Sequence, residues 1–76
     1  MTFAKFVEGD KVVIPAYLIV EPPRIGELIV WENHKYRVVG RPLRNDRTEV
    51  GCRWHWQPVI PVTEVPMDTT WLPPVR

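Results

Sequence analysis

The sequence predicts an all-β protein: a small antiparallel sheet of four to five strands, curled into a partly open SH3-like or OB-like barrel. Three observations predict this class. Nine prolines and four glycines are scattered between short β-branched runs, no window of about ten residues carries a helical stripe, and one long stretch alternates between apolar and polar positions. Because a flat sheet of this size would leave an apolar face in water, we expect the sheet to curl.

The alternating stretch covers residues 49–62 and has the period-two repeat of a half-buried strand. We expect its even positions inside and its odd positions outside. The two sets are Val50, Cys52, Trp54, Trp56, Ile60 and Val62, against Gly51, Arg53, His55 and Gln57. Pro58 and Pro61 cannot donate to a sheet ladder, so the strand is predicted to break near Gln57.

The first third of the chain is expected to hold an anchoring segment and one strand. A turn at Gly9-Asp10 leads into a strand over residues 11–20, which is apolar in both phases. Pro15 predicts a bulge or a strand break in the middle of this strand. Residues 21–24 contain two consecutive prolines and are expected to be a stiff, extended connector.

The next two strands are expected over residues 28–31 and 35–41. Asn33 lies between them and tolerates the left-handed conformation that a tight hairpin needs. Residues 42–48 are then predicted to form a polar loop, and residues 63–66 to add a short fifth strand.

The turn in this loop sets the predicted pairing of the third and fourth strands. If the chain turns near Asp46, Tyr36 lies opposite Trp56 and Arg37 lies opposite His55, so that both faces match. A slip by one residue would place aromatic rings opposite arginines. The core predicted from this register is Val12, Ile14, Leu18, Leu28, Val30, Tyr36, Val38, Cys52, Trp54, Trp56 and Ile60.

With 76 residues, the chain has room for one domain and one core, which we place at residues 1–66, with 67–76 as a proline-containing C-terminal tail. The single cysteine, Cys52, excludes an internal disulfide framework and indicates a reducing compartment. The N-terminus lacks the apolar segment of a signal peptide, and no apolar run is long enough to span a membrane. We therefore expect a cytoplasmic protein without membrane contact.

Residue spacing gives no support to catalysis or metal binding. Cys52 and His55 differ in parity, so on a strand they point to opposite faces and cannot ligate one ion or act as a nucleophile–base pair. The chain has no serine, and its glycines are not clustered as a phosphate-binding loop requires. We expect no catalytic residues, no metal, no cofactor and no enzymatic activity.

The main positive signal is a cationic sheet face. In the predicted register, one side of a two-stranded ribbon carries cationic side chains and the following loop extends it, although the formal net charge is only +1. The predicted partner-binding residues are Lys35, Arg37, Arg41, Arg44, Arg47, Arg53 and His55, with Trp31 as an exposed anchor. The plain alternative is a solvated arginine face that only aids solubility.

Three stretches carry a family resemblance: Pro23-Arg24-Ile25-Gly26-Glu27, Leu28-Ile29-Val30 and Tyr36-Arg37-Val38-Val39. They resemble small uncharacterised proteins of bacteriophages and bacterial mobile elements, which combine a similar turn with an alternating strand. The resemblance spans about half of the chain and includes no catalytic motif. It implies a small β-rich fold, a phage-like origin, and a role in binding and redirecting a host protein such as RNA polymerase.

Three functions fit these features. The leading hypothesis is a non-enzymatic protein that binds and modulates a cytoplasmic host protein with an acidic surface, because arginine with tryptophan is typical of interface hot spots. The second is nucleic-acid binding through the same face, against which the low net charge weighs. The third is a homo-oligomer whose copies cover each other's strand edges and tryptophans.

Overall fold

The structure is a computed structural model that describes residues 2–70. Over this range it confirms the all-β class, with six strands and no helix. The strands are β1 (Thr2–Glu8), β2 (Lys11–Ile19), β3 (Leu28–Trp31), β4 (His34–Val38), β5 (Arg44–Val50) and β6 (Arg53–Val65). The expected anchoring segment at the N-terminus is therefore a full strand.

The strands form a mixed sheet that curls into a half-barrel, in agreement with the predicted small open barrel. The 13-residue strand β6 is its spine, with β1 on one side and β4 and β5 on the other. β2 extends the sheet beyond β1, and β3 extends it beyond β4. β1 and β6 run parallel, which the sequence did not predict, and the other pairs are antiparallel.

The interior of the half-barrel is an apolar cluster drawn from five strands. Its buried members are Ala4, Phe6, Ile14, Ile19, Ile29, Tyr36, Val38, Ile60 and Val62. Tyr17 packs edge-on against Phe6 and against Trp31, with ring centroids 5.8 and 6.1 Å away. Because Tyr17 belongs to β2 and Trp31 to β3, this contact brings together the two strands at opposite ends of the sheet.

Four predicted core residues are buried, namely Ile14, Tyr36, Val38 and Ile60, and Leu28 is half-buried. The prediction was wrong for six others, which are exposed: Val12, Leu18, Val30, Cys52, Trp54 and Trp56. In β2 the reason is two register shifts against β1. The shift near Pro15 changes the inward positions from even, at Ile14, to odd, at Ile19, and so exposes Leu18. The shift between Phe6 and Val7 places Val12 opposite Val7, on the face away from Ile14.

The predicted register of the third and fourth strands was also wrong. β4 does run antiparallel to β6, but it pairs with the last residues of that strand. Tyr36 lies opposite Glu64 rather than Trp56, and Arg37 lies opposite Thr63 rather than in the cationic ribbon that was expected.

The predicted loop over residues 42–48 is mostly strand β5, which continues to Val50. The hairpin therefore closes at Gly51-Cys52, where Val50 lies opposite Arg53. Gly51 has a φ of +67°, the conformation that a first central residue of a type II′ turn requires. The turn between β3 and β4 was predicted at residues 32–34, and it is one residue shorter, because His34 already pairs with Trp31. Glu32 and Asn33 both have positive φ, as a type I′ turn demands.

β6 runs unbroken through both of its prolines, so the predicted break near Gln57 was wrong. The Val39 N–H donates to the Pro61 carbonyl at 3.0 Å, and Pro61 has no N–H to return the bond. The segment that follows β4 stops pairing with β6 after Val39 and pairs with it again from Leu43. Pro58 differs in parity from Val59 and Pro61, so its nitrogen points to the opposite edge of β6. β1 pairs along that edge only from Val59 onward, so Pro58 interrupts no hydrogen bond there.

At one end of the sheet the strands separate into two ribbons. The ladder between β1 and β6 runs only from Lys5 to Val7, and the residues before Lys5 pair with β2 alone. Two side-chain contacts bridge the gap between the β1–β2 ribbon and the β5–β6 ribbon. Phe3 and His55 lie edge to face, 5.4 Å apart, and the Lys5 ammonium lies 3.4 Å from Asp46.

Beyond β6 the described chain makes one turn, in which the Thr69 N–H donates to the Pro66 carbonyl at 3.0 Å. The Lys35 ammonium donates to the Thr69 carbonyl at 2.7 Å and ties this turn to β4. The division into a domain at 1–66 and a tail at 67–76 stays a prediction, because residues 71–76 lie outside the described range.

Candidate functional site

The β5–β6 hairpin has two faces of different chemistry. Side chains alternate along each strand, so the cross-strand pairs divide between the faces. One side, the hairpin outer face, carries the pairs Asn45–Pro58, Arg47–Trp56 and Glu49–Trp54. The other side, the hairpin inner face, carries the pairs Asp46–Gln57, Thr48–His55 and Val50–Arg53.

The hairpin outer face displays two large aromatic rings. Trp54 is 57% exposed and Trp56 is 67% exposed, although each belongs to the longest strand of the sheet. The Arg47 guanidinium lies over the Trp54 ring, 5.3 Å from its centroid, which is within the range of a cation–π contact. The face therefore combines exposed apolar area with a cation held beside it.

The hairpin inner face carries a charged cluster against β1. Asp46 accepts a hydrogen bond from the Arg44 Nε at 3.0 Å and lies 3.4 Å from the Lys5 ammonium. The hydrogen bond from Arg44, and secondly the one from Lys5, lower the pKa of Asp46. Asp46 therefore stays ionised and holds the hairpin to β1 over a wide range of pH.

Two polar side chains of the same face are buried without a partner. Gln57 is fully buried, and both atoms of its amide lack a hydrogen bond. The Thr48 hydroxyl is also buried and unpaired. Buried polar groups are normally satisfied, so each of these two side chains carries an energetic cost in the folded state.

The structure brings only some of the predicted partner-binding residues onto the hairpin: Arg44, Arg47, Arg53 and His55. Of these, only Arg47 belongs to the hairpin outer face. His55 is half-buried against Phe3, and Arg53 is exposed at the turn. The assignment of these residues to partner binding stays a prediction.

The other predicted residues lie elsewhere. Lys35 and Arg37 are in β4, opposite Val65 and Thr63, at the end of β6 that is distant from the tryptophans. Arg41 is in the connection between β4 and β5, and Trp31 is half-buried against the core. The single cationic ribbon that the sequence predicted does not exist.

The C-terminal end of β6, distant from the two tryptophans, is rich in carboxylates. Glu8 accepts hydrogen bonds from the Glu64 N–H at 3.1 Å and from the Thr63 hydroxyl at 3.2 Å. Burial raises the pKa of Tyr36, and the nearby carboxylates Glu64, Glu8 and Glu32 raise it further. Lys35 and Arg37 therefore do not stand in a purely cationic environment.

Sequence reasoning assigned Trp54 and Trp56 to the core and so missed the most exposed aromatic rings of the sheet. Parity alone places them on the same face as each other, but it does not say which face is inside. The signal that decides is Gly51: a turn there pairs Trp56 with Arg47 and Trp54 with Glu49, which is an outward-facing set.

Among residues 2–70, no group of three histidine, cysteine, aspartate or glutamate side chains is arranged to hold a metal ion. Over the same range, no helix has the length and hydropathy needed to cross a membrane. Cys52 is exposed at the hairpin turn.

No family model, no curated protein and no solved structure matches this chain. The fold and the hairpin define a broad class, a small curled β-sheet protein that displays two tryptophans and an arginine on one projecting hairpin.

Proposed function

We propose that this protein is a non-enzymatic binding module that contacts another protein through the hairpin outer face. The observation that supports this is the joint exposure of Trp54 and Trp56, 57% and 67%, on one side of one strand. A scattered exposed leucine is ordinary, but two adjacent exposed tryptophans form the kind of apolar patch that marks an interaction site.

The energetics favour a protein partner of matching shape. Covering the exposed part of each ring would remove about 100–150 Å² of apolar area from water, worth about 3 kcal/mol per ring before the costs of association. Tryptophan and arginine are also the residue types most enriched among interface hot spots. Trp54, Trp56 and Arg47 therefore have the composition of a hot-spot cluster.

The charges of the hairpin favour an acidic partner surface. Arg47 is exposed beside the Trp54 ring, Arg53 is exposed at the hairpin turn, and Glu49 is the exposed acid of the hairpin outer face. Arg44 is already hydrogen-bonded to Asp46. A carboxylate of the partner placed beside Arg47 would make a charge-assisted bond at the rim of the aromatic patch.

The proposal also covers the kind of partner and the cell in which it is found. We place the protein in the cytoplasm of a bacterial cell as a product of a bacteriophage or mobile element, acting on a host protein. The support is the sequence resemblance carried by residues 23–30 and 36–39.

Nucleic acid is the second candidate ligand for the same face. Trp54 and Trp56 are two residues apart on a strand, which spaces their Cα atoms by about 6.6 Å, a distance that successive bases of an extended single strand can match. Stacking of each base is worth about 1–3 kcal/mol. The formal net charge of +1 weighs against this candidate, because such proteins are usually basic overall.

The proposal is tested by affinity capture from bacterial lysate with quantitative mass spectrometry, using Trp54→Thr/Trp56→Thr as the variant. Val30→Thr is the matched control, since it also removes exposed apolar area from a strand, at the opposite edge of the sheet. We expect proteins captured by the wild type and by the control to be lost with the double variant. Capture of the same proteins by all three chains would contradict the proposal.

A salt titration separates the two ligand classes. We expect single-stranded DNA or RNA to bind weakly or not at all at physiological ionic strength. Micromolar binding whose log-affinity falls steeply with log salt, and which the double tryptophan variant abolishes, would favour nucleic acid instead.

A further inference from the structure

Within residues 2–70, three strands pair on one side only, namely β2, β3 and β5. Natural sheets guard their edges with prolines, bulges, short strands or charged side chains, and of these devices β5 has only the charges. β2 contains Pro15 and two register shifts, and β3 has only four residues. β5 has seven residues, no proline and no register shift against β6.

The main-chain groups at this open edge belong to alternate residues. A two-residue turn closes on a hydrogen-bonded pair, here Val50 and Arg53. Because bonding direction alternates along a strand, Thr48 and Asp46 also bond toward β6. Arg47 and Glu49 therefore direct their N–H and C=O groups away from β6, toward an edge that has no strand partner within residues 2–70.

We infer that this edge pairs with a second copy of the same chain, antiparallel, about a two-fold axis that passes through Thr48. In this register Arg47 of each copy lies directly opposite Glu49 of the other, so the interface contains two cross-strand ion pairs. Arg47 and Glu49 are also the residues with free main-chain groups. They would therefore exchange about four hydrogen bonds between the copies.

In this register Thr48 faces its own counterpart at the two-fold axis in a non-hydrogen-bonded pair, where side chains are closest. The Thr48 hydroxyl oxygen is enclosed by atoms of its own chain. The register therefore depends on the main-chain pattern and on the opposed charges of Arg47 and Glu49, and not on a bond between the two hydroxyls.

The neighbouring symmetric registers are disfavoured by charge or by geometry. An axis through Asp46, Arg47 or Glu49 would place two identical charges directly opposite each other, which destabilises a sheet pair. An axis through Asn45 would run the pairing into the connection between β4 and β5, which ends at Leu43. Pairing about Thr48 is the register that uses the regular part of β5 and opposes unlike charges.

The dimer would be an isologous four-stranded ribbon, β6-β5-β5-β6, of small area. On the outer face of this ribbon, each row of neighbouring side chains would cross all four strands. It would contain Trp54 and Glu49 of one copy, followed by Arg47 and Trp56 of the other. Two paired edge strands bury less than the about 1,200 Å² typical of stable complexes, so we expect a weak, concentration-dependent dimer. Arg47 belongs to both proposed surfaces, but the dimer uses its main-chain groups and its pairing with Glu49, whereas the proposed protein binding depends on the exposed rings of Trp54 and Trp56.

The test is sedimentation velocity from about 1 µM to about 1 mM, a range chosen for a weak interface, with charge variants of the full chain. We expect the wild type to dimerise as its concentration rises, and Arg47→Glu and Glu49→Arg each to remain monomeric because like charges then face each other. An equimolar mixture of the two variants should dimerise, and so should the double swap Arg47→Glu/Glu49→Arg. A monomeric wild type, or a mixture that stays monomeric, would overturn the inference.

A cysteine cross-link gives a second measurement that does not rely on charge. In a Cys52→Ser background, Thr48→Cys places two thiols opposite each other at the axis, at a Cα separation of about 4.5 Å that suits a disulfide. Asn45→Cys is the matched control, since its two copies would lie about 20 Å apart in this register. We expect Thr48→Cys to cross-link under mild oxidation and Asn45→Cys not to; equal cross-linking would overturn the register.

Dimerisation and protein binding are distinguishable. Trp54→Thr/Trp56→Thr should lose captured proteins and still dimerise, whereas Arg47→Glu/Glu49→Arg should dimerise with its two rings unchanged. Loss of the dimer in the tryptophan variant would contradict the edge-only interface.

Discussion

The Lys5 ammonium lies 3.4 Å from the Asp46 carboxylate, and this contact joins β1 to β5, two strands that share no ladder in the described chain. Together with the contact of Phe3 and His55, it bridges the gap between the two diverging ribbons. The position of the hairpin over the rest of the sheet therefore depends partly on the ionisation of one carboxyl group.

Stability should accordingly fall as Asp46 is protonated. The hydrogen bond from Arg44 and the contact with Lys5 lower the pKa of Asp46 in the folded state, so its contribution is complete above the unfolded pKa and is lost as pH falls through the folded pKa. We expect Asp46→Asn to lower the melting temperature at neutral pH, with the difference from wild type vanishing in strong acid. Thermal melts from about pH 7 to about pH 2 measure this.

Asp68→Asn is the control for this prediction, because Asp68 is an exposed acid beyond β6. Its melting temperature should follow the wild type across the whole pH range. A constant difference between Asp46→Asn and wild type down to the lowest pH would show that the carboxylate charge is not the cause.

Gln57 should be replaceable by an apolar side chain with a gain in stability. It is fully buried, and both atoms of its amide lack a hydrogen bond. Removing a buried unsatisfied polar group while keeping the volume should stabilise the fold by about 1–3 kcal/mol, so we expect Gln57→Met to raise the urea midpoint. Gln57→Glu buries a carboxyl group at the same place and should lower the midpoint sharply. A lower midpoint for Gln57→Met would mean that the amide is satisfied in solution, for example by internal water.

The sequence was a good guide where local chemistry determines the structure. The turn at Glu32-Asn33 followed from the tolerance of Asn33 for positive φ, and the hairpin of β3 and β4 followed from the turn. The curl of the sheet followed from the need to cover an apolar face. These features need only a few neighbouring residues to be specified.

Pairing between distant segments was not predictable in the same way. Two turn signals, Asn45-Asp46 and Gly51, compete within a few residues, and choosing the first gave Trp54 and Trp56 the wrong cross-strand partners. The parallel pairing of β1 with β6 joins residues more than fifty positions apart, for example Lys5 and Val59, and no local pattern announces it. The candidate site depended on both choices, which is why its cationic ribbon was wrong while Arg47 still lies in the exposed face.

The change in burial along one face of β6 has a direct consequence for stability. Trp56 is mostly exposed and Ile60, four residues later in β6, is fully buried. We expect Trp56→Thr to change the free energy of unfolding by less than about 1 kcal/mol, and Ile60→Ala to cost about 2–5 kcal/mol because it leaves a cavity. Urea unfolding followed by far-ultraviolet circular dichroism compares them without relying on tryptophan fluorescence. If Trp56→Thr lowered the free energy of unfolding as much as Ile60→Ala does, Trp56 would have to be a core residue.

The place where the hairpin turns can be tested at Gly51. Its φ of +67° is costly for any residue with a β-carbon, while nothing lies within 4 Å of where that carbon would stand. Gly51→Ala should therefore destabilise the protein by about 1–2 kcal/mol through backbone strain alone, and Gly51→Asn by less, because asparagine tolerates this conformation. Equilibrium unfolding in urea measures both.

Gly9 provides the matched comparison, because it has a φ of +62° and the same open surroundings in an independent hairpin. Gly9→Ala should cost about as much as Gly51→Ala. If the chain instead turned near Asp46, Gly51 would lie within an extended strand, where alanine is favoured over glycine by about 0.5–1 kcal/mol. The sign of the change for Gly51→Ala therefore decides between the two turns: a loss places the tryptophans on the hairpin outer face, and a gain would remove the basis for both proposed interfaces.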